Sequence, residues 1–160
     1  MAERSQDRER GRVTASEVSW AVRGLQRAQE ELDRALAARL GLRALDYAAM
    51  THLLAADSPF GPVQLASRLG ISSGSGSELA DRLERAGHLR RRRAADDRRR
   101  IVLEPADASI ARILGELAPL FVELDRLAAT FSPEEQDTIT RYLTAAAERV
   151  RAHVDELTRS

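Results

Sequence analysis

The chain has 160 residues, enough for one domain or one protomer of an oligomer, and its 43% apolar content can build a core. It has no cysteine, which excludes disulfides, thiolate metal sites and a thiol redox switch, and its 25 basic and 25 acidic residues cancel. No apolar run reaches the roughly 18 residues of a membrane span, and the charged start, MAERSQDRERGR, lacks the apolar stretch of a secretory signal. A cytoplasmic protein with an N-terminal tail over 1–14 is expected.

The neutral total conceals an uneven distribution. Every basic residue is arginine, and residues 90–100, RRRRAADDRRR, hold seven of them with two aspartates, a local charge of +5. The run lies between apolar segments, so it reads as a folded, presented patch rather than a disordered tail.

In chain order, residues 15–41 form a first helix. Val18, Val22, Leu25, Leu32, Leu36 and Leu40 recur at helical spacings, and Gly41 is a natural stop. A second helix over 42–57 would bury Leu45, Met50, Leu53 and Leu54, and SPFG at 58–61 is a loop. Pro62 suits the first turn of a third helix whose inner face is Val63, Ala66 and Leu69 and whose end is Gly70. Ser72 caps a fourth, which runs to about Ala86 with Leu79, Leu83 and Ala86 inward. Two short helices joined by a glycine-containing turn are a helix-turn-helix pattern.

The start of that fourth helix, SSGSGS at 72–77, has the composition of a linker. The apolar spacing of Ile71, Leu79 and Leu83 continues through it, which favours a helix. Each glycine costs a helix about 1 kcal/mol relative to alanine. One explanation is close approach: small side chains let backbone N–H groups and the hydroxyls of Ser73, Ser75 and Ser77 press against phosphates or base edges. The alternative is a loosely formed helix start that orders only on a nucleic acid.

HLRRR and RRIVL, at 88–92 and 99–103, are strands of a β-hairpin, with Leu89 inward, Ile101 and Leu103 on one face, and Asp96 and Asp97 in the turn. Asp107 caps a long helix with an apolar seam from Ile110 to Ala128, which Pro119 is expected to kink. Ser132, Pro133 and Glu135 open the last helix with a capping box, and Ile139, Leu143, Ala146, Val150, Val154 and Leu157 follow at spacings of three and four. The fold class is mainly α: a winged helix-turn-helix over 42–104 between an N-terminal dimerisation helix over 15–41 and C-terminal dimerisation helices over 105–160. A chain this short cannot cover such long seams itself, so a second copy is the expected partner.

LASRLGIS, LADRLERAGHLRRR and DDRR followed by IVL occur in this order and spacing. Together they make the chain resemble the MarR family of bacterial transcription regulators from about residue 42 to 131, and the flanking helices agree in type. The resemblance implies a winged-helix homodimer that binds a pseudo-palindromic duplex site, in many members as a repressor released by a small ligand. It implies a recognition helix over 72–86 in the major groove and a wing in the minor groove. Asp97-Arg98-Arg99 matches the family's acid-x-Arg wing tip. The chain departs from the family pattern at Gly76, at Glu78, and at Pro105-Ala106.

The expected duplex contacts are Ser73, Ser75, Ser77, Arg82, Arg98, Arg99 and Arg100. Arg82 lies along the outer face; Glu78, four residues earlier, either accepts from a cytosine amino group or, as expected without DNA, pairs with Arg82 at the surface, and Asp97 should orient Arg99. For the small aromatic or anionic ligand that the resemblance implies, the candidates by position are Trp20, Arg23, Tyr47 and His52, with Phe60 nearby; Trp20, Tyr47 and Phe60 each read more readily as core aromatics. No cofactor or metal is expected. His52, His88 and His153 have no metal spacing, and no phosphate loop, nucleophile elbow or cysteine nucleophile supports an enzyme. The other reading is a helical partner-binding protein whose arginine hairpin binds polyanions without sequence preference.

Overall fold

A computed structural model describes residues 14–95, 97 and 99–159. In chain order they form α1 (Glu17–Leu40), α2 (Ala44–Leu54), α3 (Pro62–Leu69), α4 (Ser73–Arg85), β1 (Leu89–Arg93), β2 (Ile101–Pro105), α5 (Asp107–Ala128) and α6 (Pro133–Arg159). The strands pair antiparallel, with Arg92 opposite Val102. The expected mainly helical winged helix-turn-helix is the fold observed.

The chain divides into two compact units, one through Ile113 and one from Leu114 onward. The first unit holds the core. Leu36, Ala37 and Leu40 from α1, Tyr47, Ala49, Met50 and Leu53 from α2, Leu65 and Ala66 from α3, Leu79, Ala80 and Leu83 from α4, and Leu89 and Leu103 from the hairpin are all buried. Between α3 and α4 the chain reverses at Gly70, whose φ of +67° is accessible to glycine at little cost. The Ser72 side chain accepts from the Ser75 N–H and caps α4. The Phe60 carbonyl accepts from the Leu103 N–H at 2.9 Å, so the loop before α3 runs along the edge of β2.

Several expected inner faces are corrected. Val63 is 64% exposed, and Leu65 takes the buried place instead. Leu45 is exposed, and Tyr47 and Ala49 fill the inner side of α2. In α4, Ala80 is buried and Ala86 is not. These helices are only two to four turns long, so the spacing of a few apolar residues leaves their rotation ambiguous.

In the second unit, Ser132 and Glu135 form the expected capping box: the Ser132 N–H donates to Glu135 Oε2 at 2.8 Å and the Glu135 N–H to Ser132 Oγ at 3.3 Å. Helix α5 continues through Pro119. Helix α6 has no buried residue.

Candidate nucleic-acid interface

Helix α4 has two unlike faces. Gly76, Leu79, Ala80 and Leu83 are buried; Ser73, Gly74, Ser75, Ser77 and Glu78 are exposed. The two glycines therefore have different explanations. A Cβ on Gly76 would lie 2.5 Å from the Ala66 Cβ and 2.9 Å from the Pro62 carbonyl oxygen, so this glycine lets α4 close on α3. Its close approach is to the protein's own helix, not to an outside ligand. A Cβ on Gly74 would meet only the Ser72 Oγ, at 3.9 Å. Of the serines, Ser75 shares a 3.0 Å hydrogen bond with Ser72 through their hydroxyls, and Ser77 Oγ donates to the Ser73 carbonyl at 3.1 Å. Both hydroxyls lie on the exposed helix start and keep acceptor capacity.

Arg82 is not laid along the outer face. Its guanidinium is held by Asp46 of α2, with Nε 3.2 Å from Oδ1 and 3.3 Å from Oδ2. This hydrogen-bonded carboxylate raises the Arg82 pKa above its ordinary value. The expected Glu78–Arg82 pair gives way to Asp46 because a buried carboxylate offers two acceptors to the guanidinium fork, whereas a surface i,i+4 pair contributes only tenths of a kcal/mol.

The arginine run is divided between structure and surface. Arg90 Nε lies 2.6 Å from Glu104 Oε2 and Arg92 Nη1 3.0 Å from Glu104 Oε1, which holds the Glu104 carboxyl below the usual carboxylate range. Arg91 reaches back to α4, 2.6 Å from both Asp81 and Glu84, and its backbone N–H donates to Glu84 at 3.0 Å. Three arginines thus brace the hairpin root. Toward the tip, Arg93 and Arg99 are exposed and Arg100 is half-buried. Asp97 Oδ1 accepts from the Arg99 N–H at 2.9 Å and so orients this residue through its backbone. Arg98 lies outside the described residues. A cleft of about 450 Å³ opens beside the wing, lined in part by Pro59, Arg92, Arg93, Arg100, Val102 and Glu104.

The four ligand candidates do not converge within one chain. Tyr47 is buried, and its pKa is raised by that burial and by the Asp33 charge. Trp20 and Arg23 lie 13 and 10 positions before Asp33 on α1, about 20 and 15 Å away at 1.5 Å per residue. Trp20 is 51% exposed, so within the chain it is not a core aromatic, whereas Tyr47 and Phe60 are. Arg23 Nη1 donates to Gln26 at 2.9 Å. His52 is half-buried, and burial followed by the Arg68 charge lowers its pKa below the ordinary 6.5.

That shift has a sign. A histidine with a lowered folded pKa binds fewer protons folded than unfolded, so its stabilising contribution is complete above 6.5. It diminishes as pH falls from 6.5 toward the folded value. Urea unfolding at successive pH values should show this decline, and His52→Gln should flatten it. An unchanged slope in the variant would contradict the assignment.

A capped helix-turn-helix beside a two-stranded wing defines the winged helix-turn-helix class. The MarR family model matches residues 40–100. The chain is 32% identical over 124 residues to the HTH-type transcriptional regulator YcgE of Bacillus subtilis, covering 78% of this chain and 80% of YcgE. It therefore belongs to the MarR family. Among solved structures, a MepR point mutant from S. aureus superposes with a TM-score of 0.67 at 17% identity, covering 86% of this chain and 99% of that one. An S. aureus MepR–DNA complex superposes with a TM-score of 0.53 at 17% identity, covering 82% and 98%.

Proposed function

We propose that this MarR-family chain is a homodimeric, ligand-responsive repressor that binds a pseudo-palindromic duplex. In this reading α4 enters the major groove and the wing tip the minor groove. The observation that carries it is the pairing of an exposed, small-residue start of α4 with a wing whose root arginines are paired with acids and whose Arg93 and Arg99, toward the tip, are exposed. Ser73, Ser75 and Ser77 meet phosphates or base edges, and Arg98, Arg99 and Arg100 supply charge at the wing. A polyanion binder without sequence preference needs no such division, since any exposed arginine would serve it. That a protein of the same fold, S. aureus MepR, forms a complex with DNA supports duplex binding by this chain. Trp20, Arg23, Tyr47 and His52 enter a ligand site only if a second copy brings them together.

Fluorescence anisotropy tests this reading. The protein is titrated against the intergenic duplex beside its own gene and a scrambled copy, at low and moderate salt. Preference for the intergenic duplex is expected. Equal, steeply salt-dependent binding to both would favour the polyanion binder.

The homodimer rests on uncovered apolar surface. Leu143, Val150, Val154 and Leu157 on α6 are 42–65% exposed, as are Val18 and Leu25 on α1 at 52% and 56%. Apolar seams at heptad-like spacing are stabilised by burial against another helix. Sedimentation equilibrium should give twice the 17.7 kDa chain mass, and Leu143→Asp with Val150→Asp should shift it toward one chain. A wild-type monomer would exclude the dimer.

A further inference from the structure

Asp46 is the one charged residue among the buried side chains of the described residues. It lies in the first turn of α2, 36 positions before Arg82 in the last turn of α4. Its side chain is 9% exposed and that of Arg82 33%. Both carboxylate oxygens accept from the guanidinium. On its other flank, α4 is held by Arg91 of β1 through Asp81 and Glu84. At its start, α4 closes on α3 through Gly76. The helix that carries the serines is thus fixed at three points, two of them charge pairs.

A buried ion pair adds little net stability, because desolvation offsets most of its attraction. Its value lies in geometry. The planar guanidinium meets a carboxylate in few orientations, so the pair restricts how α4 can rotate or slide past α2. A guanidinium already fork-bonded to a buried acid must also break those bonds before it can meet a phosphate.

We propose that Asp46 is a positioning residue for duplex recognition: through Arg82 it sets the angle at which α4 presents Ser73, Ser75 and Ser77, and Arg82 is not itself a phosphate contact. This rests on the duplex-binding reading above.

The test uses Asp46→Asn, Arg82→Gln, Arg82→Lys and the Asp46→Asn/Arg82→Gln double variant of the full chain. Each is titrated against the preferred and scrambled duplexes over a range of salt, and backbone hydrogen exchange of α4 is followed in the free protein. A positioning pair predicts that Asp46→Asn and Arg82→Gln each reduce preference by about tenfold, that the double variant is no worse than either, and that the salt slope is unchanged. Exchange within α4 should accelerate. A phosphate contact predicts the opposite. Arg82→Gln would then lower the salt slope by about one unit, and Asp46→Asn, which frees the guanidinium, would bind as well as wild type or more tightly. That pattern overturns the proposal. If Asp46→Asn does not fold, Arg82→Lys decides the matter, because it keeps the charge but loses the fork: reduced preference supports positioning, and retained preference overturns it. If wild type shows no duplex preference, the duplex-binding reading fails separately. Exchange in α4 still tests the clamp, and rates unchanged by Asp46→Asn or Arg82→Lys would overturn it.

Discussion

Gly76→Ala is expected to destabilise the protein by about 1–3 kcal/mol in urea unfolding, while Gly74→Ala, two residues earlier in the same helix, stabilises it by up to about 1 kcal/mol. Both changes remove a glycine from α4, so helix propensity favours both equally. They differ in what the new methyl group meets. At position 74 it finds ordinary contact with the Ser72 hydroxyl at 3.9 Å. At position 76 it would overlap the Ala66 methyl and the Pro62 carbonyl, with the Ala66 Cα also within 3.2 Å. Neither neighbour can swing aside, since one is a carbonyl of α3's own backbone and the other a side chain without rotamers. Helix α3 must therefore move away from α4, and the packing of Leu65 and Leu79 loosens with it. Equal effects at the two positions would remove Gly76 from the α3–α4 contact.

Replacing Arg98 and Arg99 together with alanine is expected to weaken binding to every duplex and to lower the salt slope by about one unit for each phosphate that is no longer neutralised. Salt titration by anisotropy measures both. The size of the effect follows from how the run is divided. Arg90, Arg91 and Arg92 are paired with Glu104, Asp81 and Glu84 at the hairpin root, so the charge available to a duplex is concentrated toward the tip. Arg90→Ala should therefore alter the salt slope far less than Arg98→Ala or Arg99→Ala alone, although each removes the same formal charge. Unchanged binding of the double variant would move the duplex contacts away from the wing tip.

The local signals in the sequence account for the order of elements. Caps, stops and hairpin turns are made by residues within a few positions of each other. Ser72 and Ser132 cap at the positions their spacing predicts, and Asp97 orders the Arg99 turn, because each bond spans three residues or fewer. Family membership is legible for the same reason, since the helix-turn-helix and wing segments lie close together in the chain.

Which face of each short helix turns inward, and which charges stay exposed, depends on packing between distant segments. Val63 and Leu65 are both strongly apolar, and it is the seat of α3 in the core that buries Leu65. By composition Gly76 reads as a place for an outside ligand to approach, and it is where α3 approaches instead. Arg82 and Asp46 have no spacing that announces them as partners, because their contact depends on how α2 and α4 cross. Short-range capping, turn and periodic preferences are enough to specify the elements and the family from the residues alone. The partners of Arg82, Arg90, Arg91 and Arg92 arise only when folding brings acids from other elements within hydrogen-bonding reach.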